Sequence, residues 1–236
     1  MAQKADRRPA EDSPKSAARY VRRGAQAIRE SGARISQYRA EKQAVVDWAT
    51  ARGRLLPFSY IEQFSFIGDG AEHRVYKSEA AVRVAIKATH CNRFGHSTLE
   101  EGKTATPVQY LKRLAWQNYF FGDDIRIVGV CYDEEDQMEI VTSQPWISVH
   151  RERPNPTSEE IDIYMGRFGF VSTSFDLDTP LYYSADYGLV VGDANDRNVI
   201  RDHEGNLTAI DVVIGPPGEK LRQAIDEFQN GPQLPF

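Results

Sequence analysis

The chain has 236 residues, of which 41% are hydrophobic and 27% charged, and these proportions exclude wholesale disorder and a collagen-like chain. Two cysteines are too few for a disulfide scaffold, and no apolar run approaches the ~18 residues of a membrane span. The net charge is −5, but the first 40 residues hold ten Lys or Arg against four Asp or Glu. We expect a cytoplasmic protein without membrane contact.

The basic leader and the acidic remainder of the chain have different implications. The leader predicts either a solvated arm or a tail that binds nucleic acid or another acidic partner. The remaining 196 residues carry a net charge of −11, which is unlike a nucleic-acid-binding domain. Any contact with nucleic acid is therefore expected only through the leader.

The N-terminal part predicts a disordered leader over residues 1–15, followed by a helical extension over 16–56. Apolar residues recur there at spacings of three and four, and the run is interrupted at Gly24, Gly32 and Ser36. This pattern predicts two or three helices.

We expect the helical extension to pack against the strands that follow it in the chain. Val45 and Trp48 are the predicted anchors of this contact.

Residues 57–150 combine strand and helix patterns. From Tyr60 the apolar period becomes two, which predicts short strands. A helix is predicted to begin at Thr106-Pro107 and to end at Gly122, and two strands follow it near 126–132 and 138–143.

Residues 151–236 begin with a connection over 151–157, which is followed by a helix capped by Thr157 or Ser158 and by further short strands. A helix near 219–228 closes the chain.

The first motif with chemical meaning is the turn Gly68-Asp-Gly70, which leads to Val75. A turn with two glycines lets backbone N–H groups approach an anion. The alternative is an ordinary hairpin turn.

One strand later, Val84-Ala-Ile-Lys87 predicts a strand that ends in a lysine. The ammonium group of this lysine either lies close to phosphate oxygens or reaches water at the strand edge.

The second motif runs from Asp193 to Asn198 and is followed by Asp211 at a strand end. Two carboxylates and an amide on neighbouring strand ends offer the oxygen ligands that Mg²⁺ prefers. A calcium loop is disfavoured, because Arg197 occupies a ligand position and Asn198 the position of the required glycine. The other alternative is a common Asp/Asn-rich turn.

The order of these motifs carries more information than any one of them. A glycine-rich hairpin, a strand lysine, a helix, two strands, Asp-x-x-x-x-Asn, a short hairpin and a final Asp follow in the order of a protein-kinase-like fold. The chain resembles that superfamily over residues 60–215. Within it, the chain is most similar to the compact Ser/Thr/Tyr kinases in polyvalent proteins of phages and conjugative elements. The segments that carry this similarity are Tyr110–Asn118, Phe121–Asp124, Ile140–Pro145, Gly169–Phe170 and Gly192–Asn198.

The resemblance implies an α+β fold of the protein-kinase type. Its N-lobe, over 57–150, would hold a five-stranded antiparallel sheet and one helix of the αC type. A reduced C-lobe over 151–236 would carry the catalytic and metal-binding loops.

The resemblance also implies a role for each nucleotide-binding residue. The turn with Gly68, Gly70 and Val75 would cover the ATP phosphates, and Lys87 would contact the α- and β-phosphates. The backbone near Gln144 and Trp146 would form the hinge that meets adenine.

The remaining implied roles concern phosphoryl transfer. Asp193 would orient or deprotonate the acceptor hydroxyl, and Asn198 and Asp211 would hold Mg²⁺. The implied activity is ATP- and Mg²⁺-dependent transfer of the γ-phosphate to a hydroxyl of a protein Ser, Thr or Tyr or of a small molecule.

Some positions depart from the pattern of ordinary protein kinases. His73 replaces the third glycine of the phosphate loop, Val191-Gly192 stands where His-Arg precedes the catalytic Asp, and the signature after Asp211 reads Val-Val. The residue that pairs with Lys87 is left open among Gln109, which carries no charge, Glu100 and Glu101. The alternative function is therefore a pseudokinase that acts as a nucleotide-binding regulatory or interaction module.

Overall fold

The computed structural model describes residues 12–31, 35–79, 83–98, 103–133, 135–173 and 180–230. The chain divides into two compact units. The first unit comprises residues 1–96 and 104–146, and the second comprises 97–103 and 147–236. No helix in the described ranges is both long enough and apolar enough to span a bilayer.

Each described α-helix of the first unit begins at a side chain that accepts a hydrogen bond from one of its free N–H groups. The described helices are α1 (Pro14–Glu30), α2 (Gln37–Thr50), a 3₁₀ helix (Phe58–Gln63) and α3 (Pro107–Phe121). The hydroxyls of Ser13, Ser36 and Thr106 accept hydrogen bonds at the starts of the three α-helices. Because Ser13 caps it and proline suits the first turn, α1 already begins within the predicted disordered leader. Residues 1–11 of that leader lie outside the described residues.

Gly24 lies inside α1 and does not interrupt it, so the prediction of a break at this position is wrong. A Cβ atom placed on Gly24 would lie 3.1 Å from the Cβ atom of Ala44. The glycine therefore allows α1 and α2 to approach closely, and this packing offsets the roughly 1 kcal/mol that glycine costs in a helix. Gly32, the second predicted break, lies outside the described residues.

Five antiparallel strands of the described residues form one sheet. They are β1 (Ser65–Asp69), β2 (His73–Lys77), β3 (Val84–Thr89), β4 (Arg126–Tyr132) and β5 (Met138–Pro145). Their order in the sheet is β1-β2-β3-β5-β4. The α+β class with antiparallel sheets is confirmed.

One face of the sheet packs against the helices, and we call it the inner face. Ile127, Val130 and Ile140 of β4 and β5 share a buried core with α1, α2 and α3. Val45 and Trp48 belong to this core, with 2% and 1% of their surfaces exposed. Their predicted role as anchors of the N-terminal helices is confirmed.

The opposite, outer face of the sheet has its own smaller core. Ile86, Val141 and Cys131 lie there and are covered by Ile61 of the 3₁₀ helix. Because side chains alternate along a strand, β3 sends Ile86 to this face and Lys87 to the inner face.

The second unit contains short strands between two helices. Its described elements are α4 (Ser158–Gly166), β6 (Val171–Thr173), β7 (Leu181–Ser184), β8 (Leu189–Gly192), β9 (Val199–Arg201), β10 (Leu207–Ala209), β11 (Val213–Gly215) and α5 (Glu219–Asn230). Strands β11-β8-β7-β6 form one antiparallel sheet, and β9 and β10 form a hairpin. Thr157, one of the two predicted caps, begins α4 through a capping box with Glu160.

Trp48→Ala should lower the free energy of unfolding by about 3–5 kcal/mol, because it leaves a large cavity in the core shared by the helices and the sheet. Urea unfolding followed by circular dichroism measures this change. Tyr119→Ala, at a position that is 56% exposed, serves as the control and should cost far less. Equal losses in both variants would contradict the anchoring role of Trp48.

Candidate functional site

The sheet of the first unit brings the predicted nucleotide-binding residues Val75 and Lys87 together. Val75 lies opposite Lys87 across β2 and β3, and Lys87 lies opposite Thr142 across β3 and β5. Residues paired in this way project to the same face of a sheet. This is the inner face, since Ile140, two residues before Thr142 on β5, packs against the helices there.

Lys87 does not end its strand as predicted. It is the fourth residue of β3, which continues to Thr89 because Ala88 and Thr89 keep pairing with β2. Lys87 is half-buried within the sheet. Strand pairing on both sides therefore fixes the backbone from which the Lys87 side chain projects, which restricts where its ammonium group can reach.

The glycine turn joins β1 to β2 and leaves space beside its backbone. Neither Gly68 nor Gly70 has a positive φ angle, so conformation alone does not require glycine at these positions. A Cβ atom on Gly68 would meet no atom within 4 Å, and one on Gly70 would lie 3.5 Å from the carbonyl oxygen of His73. Open space therefore lies beside Gly68, while the N–H of Gly70 donates to the carbonyl oxygen of His73 at 2.9 Å.

The predicted hinge follows directly from β5. Gln144 is buried and lies opposite Ala85 of β3. The N–H of Trp146 donates to the carbonyl oxygen of Arg83 at 3.1 Å, and the ammonium of Lys77 lies 5.3 Å from the centre of the indole ring. The first unit ends at Trp146. The segment is therefore held to β3 up to the point where the chain leaves the unit.

Hydrogen bonds and strand register bring Asp193, Asn198 and Asp211 together in the second unit. Gly192, which precedes Asp193, lies opposite Val213, which follows Asp211 by two residues. Asn198 Nδ2 donates to the carbonyl oxygen of Asp193 at 2.9 Å. The carbonyl oxygen of Asn198 accepts from the N–H of Ile210 at 2.8 Å.

The backbone at Asp193 is in an unusual conformation. Its φ angle is +56°, a region that non-glycine residues seldom adopt. Asn195 Nδ2 donates to Asp193 Oδ1 at 2.8 Å, and Asn195 Oδ1 accepts from the N–H of Arg197 at 2.9 Å. Strained positions of this kind occur at functional sites, where the surrounding structure holds them in place.

Asn198 and Asp211 have the donor chemistry of a Mg²⁺ site. Because Nδ2 of Asn198 is engaged by Asp193, the amide oxygen of the same side chain points the other way as an acceptor. Carboxylate and amide oxygens are hard ligands, and Mg²⁺ sites in phosphotransferases combine one or two of them with substrate phosphates. The residues present therefore fit the metal.

Gln109, the predicted partner of Lys87 on α3, makes a hydrogen bond within its own helix. Gln109 Oε1, the only acceptor atom of that side chain, accepts from the N–H of Thr106 at 2.7 Å and completes the capping box of α3. Glu100 and Glu101, the other two predicted partners, lie outside the described residues.

The sequence did not predict one charged pair beside the glycine turn. Glu72 lies in the turn, and Arg113 lies one helical turn after Gln109 on α3. Arg113 Nη1 contacts Glu72 Oε1 at 2.6 Å, and Nη2 contacts the second carboxylate oxygen. No local pattern indicates this pair, because its two residues lie 41 positions apart in the chain.

The environment of Glu72 strongly favours its charged form. Burial alone would raise the pKa of this carboxyl, but the charge and hydrogen bonds of Arg113, with smaller contributions from His73 and the N–H of His96, lower the pKa from 4.5 to about 2. Glu72 is thus ionised at any pH at which the protein would act.

One comparison with known proteins gives a match. Residues 38–215, about three quarters of the chain, match the sequence model of a family described as serine/threonine/tyrosine kinase found in polyvalent proteins. No match was found among curated proteins.

The lowered pKa of Glu72 predicts acid sensitivity. Stabilisation by its ionised form is complete above pH 4.5 and is lost as the pH falls through about 2, and over the whole range it amounts to about 3 kcal/mol. Urea unfolding between pH 7 and pH 3 should therefore show a steeper loss of stability in the wild type than in Glu72→Gln. Parallel curves for the two proteins would show that this carboxylate is not the titrating group.

Proposed function

Because the chain belongs to the family of serine/threonine/tyrosine kinases found in polyvalent proteins, we propose that it transfers the γ-phosphate of ATP to a hydroxyl group. The family itself supports a phosphotransferase-type function. The observation that carries the finer proposal is the clustering of Asp193, Asn198 and Asp211, fixed by strand register and hydrogen bonds.

In the proposed reaction, Asp193 accepts or orients the proton of the acceptor hydroxyl. The hydroxyl oxygen forms a bond to the γ-phosphorus as the bond from that phosphorus to the bridging oxygen breaks, and ADP leaves with the electron pair. Such a reaction depends on positioning and charge neutralisation more than on covalent help. The acceptor is a Ser, Thr or Tyr side chain or a small-molecule alcohol.

The residues of the first unit bind the nucleotide in this proposal. The turn with Gly68 and Gly70 covers the phosphates, and Lys87 neutralises the α- and β-phosphates. Gln144 and Trp146 supply the backbone that meets adenine. Asn198 and Asp211 of the second unit would hold Mg²⁺, which would neutralise charge on the phosphates.

The direct experiment incubates the protein with γ-labelled ATP and Mg²⁺, with Asp193→Asn and Asp211→Ala beside the wild type. Asp193→Asn should lower transfer by about 10²–10⁴-fold through loss of the base, and Asp211→Ala should abolish Mg²⁺-dependent turnover. Asp202→Asn, in the exposed turn between β9 and β10, is the matched control and should retain activity. Unchanged turnover in Asp211→Ala would refute the assignment.

Lys87→Met should raise the KM for ATP about tenfold or more, because the α- and β-phosphates lose their cation. Lys112→Met, on α3, removes the same charge elsewhere in the first unit and should leave the KM unchanged. Titration of ATP in the steady state measures both values. An unaltered KM in Lys87→Met would remove this residue from the nucleotide site.

A second function, nucleotide binding without transfer, is favoured by one observation. Gln109, the predicted partner of Lys87 on α3, carries no charge, and its side-chain oxygen accepts from the N–H of Thr106 in the cap of that helix. Tight binding of ATP with no transfer in the wild type would identify a pseudokinase that acts as a regulatory or interaction module.

A further inference from the structure

The turn of the glycine hairpin is tied to α3 by a buried ion pair. The Glu72 side chain is 10% exposed and that of Arg113 is 4% exposed. Both carboxylate oxygens are contacted by the guanidinium, and Oε1 also accepts from the N–H of His96 at 2.5 Å. A two-point contact of this kind fixes orientation as well as distance.

The chain makes room for this pair at Gly95. Its φ angle is +75°, and a Cβ atom there would lie 2.8 Å from Glu72 Oε1 and 2.9 Å from Arg113 Nη1. Any other residue would be strained and would push the pair apart. The segment after β3 is therefore shaped around the contact between the turn and the helix.

Other side chains hold the same turn. His73 Nε2 lies 2.9 Å from the hydroxyl of Tyr110, which is also on α3. His90 Nε2 lies 2.7 Å from the carbonyl oxygen of Gly70. The turn is thus fixed at Gly70, at Glu72 and at His73, although a Cβ atom on Gly68 beside it would meet no atom within 4 Å.

We propose that Glu72 and Arg113 are positioning residues that hold the glycine turn in the position that binding of the nucleotide phosphates requires. This role rests on the proposed function. In this arrangement α3 carries the cation and the turn carries the anion, so the helix positions the phosphate-binding backbone directly. Loss of the pair would release the turn and weaken nucleotide binding without removing any group that touches the nucleotide.

The sheet offers a matched control on its outer face. Arg74 pairs with Glu139, whose side chain is 1% exposed. Arg74 follows His73 on β2 and projects to the opposite face, where the neighbouring Tyr76 packs in the outer core. Glu139→Gln therefore breaks an ion pair whose carboxylate is buried and whose arginine is 31% exposed, without touching the link between the turn and α3.

The test measures the KM for ATP and the melting temperature of Glu72→Gln, Arg113→Gln, Arg113→Lys and Glu139→Gln. Glu72→Gln and Arg113→Gln should raise the KM about tenfold or more, and Arg113→Lys should raise it less. Glu139→Gln should lower the melting temperature by a similar amount and leave the KM unchanged. An equal rise in KM in Glu139→Gln, or no rise in any variant, would overturn the proposal.

Hydrogen exchange of the ligand-free proteins separates this proposal from the proposed function. The amides of residues 70–72 should exchange faster in Glu72→Gln and Arg113→Gln than in the wild type and Glu139→Gln. A wild type that binds no ATP would refute the proposed function, while selective exchange would still show that the pair fixes the turn. Exchange that is equal in all variants would overturn the positioning role by itself.

Discussion

The first unit depends on unequal burial of the inner face of its sheet. The half of this face formed by β4 and β5 contributes Ile127, Val130, Met138 and Ile140 to the core shared with the three α-helices. Val75 and Lys87, on β2 and β3, lie outside that core. Burial of β4 and β5 supplies the hydrophobic stabilisation, so the neighbouring strands can present polar and half-buried residues on the same face.

In the second unit, polar contacts hold the candidate site. The short hairpin of β9 and β10 returns the chain so that Ile210 bonds to Asn198, and Tyr164 of α4 accepts from the N–H of Ala209 at 3.2 Å. These contacts fix the chain immediately before Asp211. A loop held in this way can maintain the positive φ angle of Asp193, whose strain must be balanced by its surroundings.

Two ion pairs of the first unit enclose carboxylates with little exposure, one between the glycine turn and α3 and one on the outer face of the sheet. Burying a charge is costly, and such pairs are often replaceable by apolar residues without loss of stability. The value of the pair between Glu72 and Arg113 lies in geometry, since its bidentate guanidinium contact fixes both partners. Glu72 and Arg113 fix a turn that glycine would otherwise leave loosely defined, and this connects the energetics of the fold to the proposed binding of phosphates.

The sequence by itself determined the features that depend on neighbouring residues. Thr106 and Pro107 began α3 and Gly122 ended it, because capping is a contact over a few residues. The period of two after Tyr60 predicted the first short strands, and the order of Gly68, Lys87, Asp193, Asn198 and Asp211 indicated the kinase family. Tertiary structure alone decided the rest. Gly24 became a packing site only because Ala44 lies against it, and the partner of Glu72 is a residue 41 positions away. Contacts between distant residues are set by how the elements pack, and local pattern does not encode that packing.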